Sequence, residues 1–292
     1  MKVTVTVPAT TANLGPGFDS FGLALGLYNR VTLSDEGDGL TITGCPEAYA
    51  NEENLVYVAY KAAMDAMGLP VGNVTIHIEG DIPISRGLGS SAALLAAGAA
   101  GANALHGSPL SPKQLLEVTN PIEGHPDNLA PAIFGGLTAS IMDGDKPLSV
   151  SFPLHPDWRF LALVPDFPLS TAAARSVLPL QYSRADAVFN AGRGALVMKA
   201  LELGDMALLR TVLDDRIHQP YRRKLIADYD TIEALVHREG GAFCLSGAGP
   251  TLLCMTMDEG LGARLREGLA GVTEANWRVL ELTAEHRGVI IE

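Results

Sequence analysis

The segment PISRGLGSSAA, residues Pro83–Ala93, joins a predicted strand to a predicted helix and dictates the path of the chain between them. Gly87 and Gly89 permit positive φ angles and let a ligand come close to the backbone. Ser90 and Ser91 stand at the predicted start of the helix, where backbone N–H groups are free. A helix N-terminus also carries a partial positive charge, which attracts anions. The segment therefore predicts a phosphate-binding turn.

The residues around this turn also favour phosphate. No Asp or Glu occurs from Ile82 to Leu116, and Arg86 adds a positive charge. A Walker loop is excluded because no Lys follows a suitably spaced glycine. The relaxed dinucleotide-binding pattern needs an acidic residue about 20 positions later, but the first acid after the turn is Glu117. A turn that only lets the helix pack tightly on a sheet stays an alternative.

The composition excludes several other classes of protein. Among 292 residues, 21 are Lys or Arg and 33 are Asp or Glu, and the net charge of −12 disfavours nucleic-acid partners. With 47% hydrophobic residues the chain can bury a core. Three cysteines without a CxxC pair indicate a reducing compartment. No signal-peptide pattern opens the sequence, and its most apolar stretch is rich in Ala and Gly, so we expect a cytoplasmic protein without a membrane partner.

Strand and helix patterns are mixed along the chain, which predicts an α+β or α/β protein. At the N-terminus we expect a strand that ends at Pro8, followed by a polar loop over residues 9–22. In the second half we expect helices over residues 184–203, 205–216 and 221–238. A polar stretch near residues 153–157 predicts a boundary between two domains, residues 1–155 and 156–292.

Three further segments carry polar residues in turn-like sequences. Residues 8–19 form a glycine-rich loop that is long for a compact domain, and such loops are often functional. Residues 123–128, EGHPDN, contain two carboxylates and a histidine that could hold a metal or a polar substrate, although alone they fit a solvated turn better. Residues 246–250, SGAGP, separate two apolar strand patterns and also fit a simple turn.

In this order the segments resemble the GHMP kinase superfamily. Its phosphate loop, PxxxGLGSSAA, corresponds to Pro83–Ala93, and its late glycine-rich loop is similar to Leu245–Pro250. Within the superfamily, the chain resembles the branch that phosphorylates L-homoserine. That likeness rests on VPATTANLGPGFDSFGLAL over residues 7–25, EGHPDNLAPAIFGG over residues 123–136 and HQPYR over residues 218–222.

The resemblance implies a fold and a reaction that composition alone does not give. The fold is α+β, with an N-terminal domain like domain 2 of ribosomal protein S5 and a ferredoxin-like C-terminal domain. The reaction uses ATP and Mg²⁺ to convert L-homoserine into O-phospho-L-homoserine, a step toward threonine. The resemblance also implies a homodimer. Two alternatives are a kinase of another small alcohol and a nucleotide-binding protein without activity.

The resemblance assigns roles to particular residues. Asn13 and Asp19 would meet the hydroxyl end of the amino acid, and Asp19 is the candidate if a general base exists. Thr171 would lie near the transferred phosphate. The ammonium would pair with Asp127, and the carboxylate with the two arginines Arg175 and Arg222. The Mg²⁺ ligands would be Ser91 and Glu123. The residues around the triphosphate would be Pro83, Ile84, Ser85, Arg86, Gly87, Leu88, Gly89, Ser90, Ser91, Ala92 and Ala93.

Overall fold

A computed structural model describes all 292 residues and contains two β-sheets with helices packed on them. The strands are β1 (Lys2–Ala12), β2 (Phe21–Ser34), β3 (Leu40–Thr43), β4 (Val74–Gly80), β5 (Leu137–Asp143), β6 (Lys146–Phe152), β7 (Arg159–Pro165), β8 (Ala242–Leu245), β9 (Leu252–Thr256), β10 (Trp277–Leu282) and β11 (Ile290–Ile291). The helices are α1 (Leu55–Ala66), α2 (Ser90–Leu105), α3 (Pro112–Glu123), α4 (Pro126–Phe134), α5 (Thr171–Ser176), α6 (Arg184–Leu203), α7 (Met206–Val212), α8 (Gln219–Arg222), α9 (Tyr229–Arg238) and α10 (Leu261–Leu269).

The first sheet has seven strands and carries α2 and α4. Its main path is β11-β1-β2-β4-β3, and β5 joins β2 and pairs with β6. All of these pairs are antiparallel except β3 with β4. Alternate residues of β1 such as Val5 and Val7 are fully buried, as the period of two predicts.

The expectation that the first strand ends at Pro8 is wrong. The ladder between β1 and β2 shifts its register between Pro8 and Ala9 and then continues to Ala12. Proline removes one donor from a ladder, and a bulge at that point lets pairing resume on the far side. The predicted loop over residues 9–22 is therefore shorter and connects Ala12 to Phe21.

Other predicted boundaries also differ in a way that affects the site. The helix expected over residues 221–238 is not continuous, because α8 ends at Arg222 and α9 begins at Tyr229. The segment 123–128 is not an open loop, because α3 ends at Glu123 and α4 already begins at Pro126. The helix expected over residues 205–216 ends at Val212. An irregular stretch follows it and leads into the short helix α8. The helix over residues 184–203 is confirmed.

Helix α2 explains why the chain uses so many small residues after the glycine-rich turn. A Cβ atom at Gly98 would lie 2.1 Å from the carbonyl oxygen of Val56 in α1. One at Gly101 would lie 2.3 Å from a methyl group of Leu33 in β2. Only glycine permits these approaches, so tight packing accounts for the small residues in the middle of the helix.

The second sheet has the order β10-β7-β9-β8 and is antiparallel throughout. The predicted division after residue 155 falls between the two sheets. However, the last residues of the chain return to the first sheet, where β11 pairs with β1. Tyr28 of β2 and Arg287 both hydrogen-bond to the carboxylate of Glu285. None of the helices is both long and apolar enough to cross a lipid bilayer.

Candidate active site

The glycine-rich turn crosses between the two sheets at the N-terminus of α2. Gly89 precedes the helix with φ +67°, and a Cβ there would lie 1.9 Å from the hydroxyl of Thr10. At Gly87, with φ +80°, a Cβ would lie 2.6 Å from the carbonyl oxygen of Ser246. Ser246 in turn donates from its hydroxyl to the carbonyl of Gly87 over 2.6 Å. The late glycine-rich loop therefore supports the phosphate turn, which leaves the N–H groups of α2 facing a cleft.

Arg86 is placed differently from the expectation that it faces phosphate. Its guanidinium donates to the backbone carbonyls of Ile84, Pro165 and Asp166 at 2.9 to 3.2 Å. Two of these carbonyls belong to the end of β7 and the residue after it. These contacts join the phosphate turn to the second sheet, and a direct contact of Arg86 with phosphate stays a prediction.

Ser91 and Glu123 meet at the mouth of the cleft. The Ser91 hydroxyl donates to Glu123 Oε2 over 2.6 Å. Burial raises the pKa of the Glu123 carboxyl, although the hydrogen bond from Ser91 acts in the opposite direction. Two oxygen donors, one of them a carboxylate that a nearby cation would stabilise, fit Mg²⁺ chemistry. No group of three or more His, Cys, Asp or Glu side chains could hold a metal by itself, so phosphate oxygens and water would complete the coordination of an ion held by Ser91 and Glu123.

Asp127 lies in the first turn of α4, where the helix dipole favours a negative charge. Asp127 is only 2% exposed. Asp127 Oδ1 is 3.0 Å from His125 Nδ1 and 3.3 Å from Asn128 Nδ2, whereas Oδ2 has no hydrogen-bond partner. Burial, the largest single influence, acts to lower the pKa of His125, but the hydrogen bond with Asp127 and the negative charge of Asp127 together raise that pKa. One carboxylate oxygen is thus held in place and the other is left for a ligand.

Asp19 and Arg175 were expected to contact opposite ends of a substrate, yet here they pair with each other. Two parallel hydrogen bonds of 2.6 and 3.1 Å join the carboxylate to the guanidinium. Asn13 fixes the loop before Asp19, because Asn13 Oδ1 accepts from the Asp19 amide and Nδ2 donates to the Gly247 carbonyl. Both members of the ion pair are about one-third exposed, so a ligand can reach them.

Arg222 is the largest of the fully buried side chains and has no carboxylate partner. Its Nε donates to the Ala174 carbonyl over 3.1 Å, and Nη1 donates to the Gly247 carbonyl and to His218 Nδ1, both over 3.3 Å. Nη2 has no partner. Burial, and to a smaller extent repulsion from Arg175, lowers the pKa of Arg222 to about 10. The side chain is therefore still charged at neutral pH, at a cost that an anionic ligand would reduce.

These groups line one cleft of about 600 Å³ between the two sheets. The cleft brings together the predicted residues Asn13, Asp19, Ser91, Glu123, Asp127, Thr171, Arg175 and Arg222. Thr171 begins the short helix α5, and its side chain is exposed. Long-range folding thus collects residues that are up to 209 positions apart in the sequence, counted from Asn13 to Arg222.

The sequence reasoning missed two parts of the cleft. One wall is formed by the connection between β3 and α1 with neighbouring apolar side chains, including Pro46, Tyr49, Asn54, Leu55, Ile82 and Leu94. The second missed group lies behind Arg222 and holds it in place. It consists of His218, Asp215 and Phe18. The HQPYR string could have indicated His218, but no local pattern distinguishes the first group from ordinary turn and helix residues.

The chain belongs to the GHMP kinase family. Residues 54–136 match the family GHMP kinases N terminal domain, and residues 197–272 match GHMP kinases C terminal. The α+β architecture with two domains of this family is therefore confirmed, and so is the interpretation of the chain as an ATP-dependent kinase.

Its similar relatives include homoserine kinases. The chain is 42% identical over 292 residues to homoserine kinase of Clostridium botulinum strain Okra, covering 99% of this chain and 98% of the relative. The crystal structure of homoserine kinase from Cytophaga hutchinsonii superposes with a TM-score of 0.89 at 27% identity, covering 100% of this chain and 97% of that one. L. major mevalonate kinase has a TM-score of 0.75 at 16% identity over 96% of this chain and 95% of that one, which shows a shared fold alone.

Proposed function

We propose that this chain transfers the γ-phosphoryl group of ATP to the side-chain hydroxyl of L-homoserine, giving ADP and O-phospho-L-homoserine. The bond from the γ-phosphorus to the ADP oxygen breaks, a bond from the homoserine oxygen to that phosphorus forms, and the hydroxyl proton is released. The homoserine kinases at about 40% identity over the whole chain support the acceptor.

The observation that carries the proposal is a pair of buried, half-satisfied charges in one cleft. Asp127 keeps Oδ2 without a partner, and Arg222 keeps Nη2 without one. Both atoms open onto the cleft, so a ligand that carries both charges would be favoured because it replaces water there with charge-assisted hydrogen bonds. An α-amino acid is a zwitterion: its ammonium matches Asp127 and its carboxylate matches the planar guanidinium of Arg222. Mevalonate carries a carboxylate but no ammonium, so it would leave Asp127 unpaired.

The ion pair between Asp19 and Arg175 adds a second step to binding. With Arg175 held by Asp19, a substrate carboxylate would be met first by Arg222. Competition from that carboxylate would loosen the pair and free Asp19 toward the hydroxyl end, beside Asn13. Thr171 at the start of α5 lies on the same cleft and is the proposed neighbour of the transferred phosphate.

The triphosphate would lie along Pro83–Ala93, with its charge against the N-terminus of α2. We propose Ser91 and Glu123 as the Mg²⁺ ligands. When bound, the ion neutralises charge that develops on the phosphate oxygens. Phosphoryl transfer depends mainly on positioning and charge neutralisation, so the proposal does not require a strong general base. A homodimer stays a prediction from the resemblance, and a cytoplasmic location stays a prediction from the cysteine count and the N-terminal sequence pattern.

The test is ADP release from Mg·ATP across a panel of acceptors: L-homoserine, D-homoserine, L-serine, L-threonine and mevalonate. The expected result is turnover with L-homoserine that exceeds that with each other acceptor by tenfold or more in kcat/KM. Preference for mevalonate would show that the kinase reading holds and the amino-acid reading fails. ADP release that none of these acceptors stimulates would refute the proposed amino-acid acceptor and leave the ATP site as it stands.

A further inference from the structure

His218 is fully buried behind the candidate substrate pocket and contacts two of its parts at once. Its Nε2 is 2.8 Å from the carbonyl oxygen of Gly15, in the loop that carries Asp19. Its Nδ1 is 3.3 Å from Nη1 of Arg222. The imidazole also stacks on Phe18, with ring centroids 5.3 Å apart. The ring therefore lies between the loop and the arginine.

The two contacts together specify one protonation state of the ring. A carbonyl oxygen only accepts, so Nε2 must carry the proton that it donates to Gly15. A guanidinium only donates, so Nδ1 must be the lone-pair acceptor for Arg222. The imidazole is thus neutral and in its Nε2–H form. Burial lowers the pKa of His218 and Arg222 lowers it further, while Asp215, with Oδ2 3.6 Å away, acts in the opposite direction.

Asp215 holds this arrangement from the other side. Its fully buried carboxylate accepts hydrogen bonds from the backbone amides of Ile217, His218 and Gln219 at 2.7 to 2.9 Å. Asn190 donates to the same carboxylate over 2.6 Å. The segment that leads into Arg222 is therefore fixed before any substrate arrives, and the imidazole has little freedom to turn.

We propose that His218 is a positioning residue: as a neutral imidazole it orients Arg222 toward the substrate carboxylate and couples that arginine to the loop of Asp19. The inference rests on the proposed function, because it concerns how the same pocket selects an amino acid. His218 itself does not touch the substrate. Its effect passes through Nη1 of Arg222, which leaves Nη2 directed at the cleft.

Two substitutions separate this role from simple filling of space. In His218→Asn the amide oxygen falls near the position of Nδ1 and can still accept from Arg222. In His218→Gln the amide nitrogen falls near the position of Nε2 and keeps the Gly15 contact, while the acceptor for Arg222 is lost. We expect His218→Gln to raise the KM for L-homoserine about tenfold or more and His218→Asn to raise it less than about threefold. The KM for ATP should change less than twofold in both.

A purely structural role predicts the opposite order, because Gln is nearer in size to His and retains the contact with the loop. Equal effects of the two variants, or a parallel rise in the KM for ATP, would overturn the proposal. The matched control is His106→Asn, at an exposed histidine after α2, which should leave both KM values unchanged. A second check combines His218→Gln with Arg222→Met, in which the histidine substitution should have less than a twofold further effect. Independent effects of the two substitutions would count against coupling through Arg222.

A measurement on the wild-type chain tests the protonation state without any variant. Ring-nitrogen NMR shifts at pH 7 should show His218 neutral with the proton on Nε2, assigned by loss of the signal in His218→Asn. A doubly protonated ring or an Nδ1–H form would overturn the inference. If the wild-type chain fails to phosphorylate L-homoserine, that assay alone refutes the proposed function. The positioning role is then refuted as well, even if the NMR result agrees with it.

Discussion

Replacing Arg222 with methionine tests the substrate pocket at a buried charge that has no carboxylate partner. Arg222 as a whole is 1% exposed. Methionine keeps a long side chain there but removes the guanidinium, which has no carboxylate partner. The structure predicts two effects in opposite directions. Binding of an amino-acid carboxylate should weaken, whereas the protein without substrate should lose a buried charge that costs it stability.

The pKa of Arg222 gives the scale of that cost. Burial and the nearby Arg175 lower this pKa to about 10, and a fall of that size corresponds to about 3 kcal/mol against the charged form. The folded state binds this proton less tightly than the unfolded chain, so the cost is fully present at neutral pH and is relieved progressively as pH rises above about 10 toward the ordinary arginine pKa. Against it, the Ala174 carbonyl and His218 Nδ1 would lose a donor at about 1 to 3 kcal/mol each, whereas the Gly247 carbonyl keeps its hydrogen bond from Asn13. We therefore expect the free energy of unfolding to change by an amount between a gain of about 1 kcal/mol and a loss of about 3 kcal/mol.

The effect on activity should be much larger and confined to one substrate. Loss of a buried, charge-assisted pair costs about 2 to 5 kcal/mol, which is about 30-fold to 4000-fold in kcat/KM for L-homoserine. Steady-state kinetics with each substrate varied in turn would measure it. The KM for ATP should change less than twofold. Arg223→Met is the matched control, because the adjacent Arg223 pairs with Asp230 and Glu233 on the surface. Equal damage to both substrates, or equal damage by the control, would refute the placement of Arg222.

Three further changes test other parts of the molecule. Ser91→Ala should lower kcat at least tenfold and raise the Mg²⁺ concentration needed for half-maximal rate, measured by titrating Mg²⁺ at saturating ATP. Gly89→Ala should abolish ATP binding measured by calorimetry, because the new Cβ would lie 1.9 Å from Thr10 Oγ1. Gly107→Ala is the control: Gly107 has a similar positive φ but open space around it, so this variant should bind ATP normally. Burial acts to raise the pKa of Glu285, but hydrogen bonds hold it at about 2. The carboxylate therefore stabilises the fold at pH values above its pKa in the unfolded chain, and this stabilisation is lost as pH falls toward 2. Glu285→Gln should make the loss of stability in acid less steep.

Each of these expectations has an outcome that contradicts it. An unchanged Mg²⁺ requirement in the Ser91 variant would exclude a role for that hydroxyl near the ion. Equal loss of ATP binding in the Gly89 and Gly107 variants would mean that backbone strain alone, and not the contact with Thr10, governs the turn. For Glu285, the midpoint of unfolding is compared between pH 4.5 and 2. If it decreases as steeply in the variant as in the wild type, other carboxylates cause the acid sensitivity.

The sequence predicted the parts of the fold that local chemistry governs. Alternation of apolar residues indicated the first part of β1, and glycines followed by serines indicated the start of α2, because side-chain period and backbone freedom act over a few residues. The same reasoning failed at Pro8, where the neighbouring strand keeps the ladder intact beyond the bulge. It also missed that β11 returns to the first sheet, since two residues carry no period.

For the site, the motifs indicated which residues matter, and folding decided what they face. Nothing local to Asp19 or Arg175 could reveal that they pair, because 156 positions separate them. His218 lies four residues from Arg222, yet its importance depends on Gly15, which is 203 positions away. Sequence patterns report the short-range preferences of a segment, whereas burial and charge pairing depend on which distant segments meet. The sequence by itself determined the phosphate turn and the kinase family. Only the tertiary structure decided which charged groups in the pocket are paired within the protein and which have atoms free to bind a ligand.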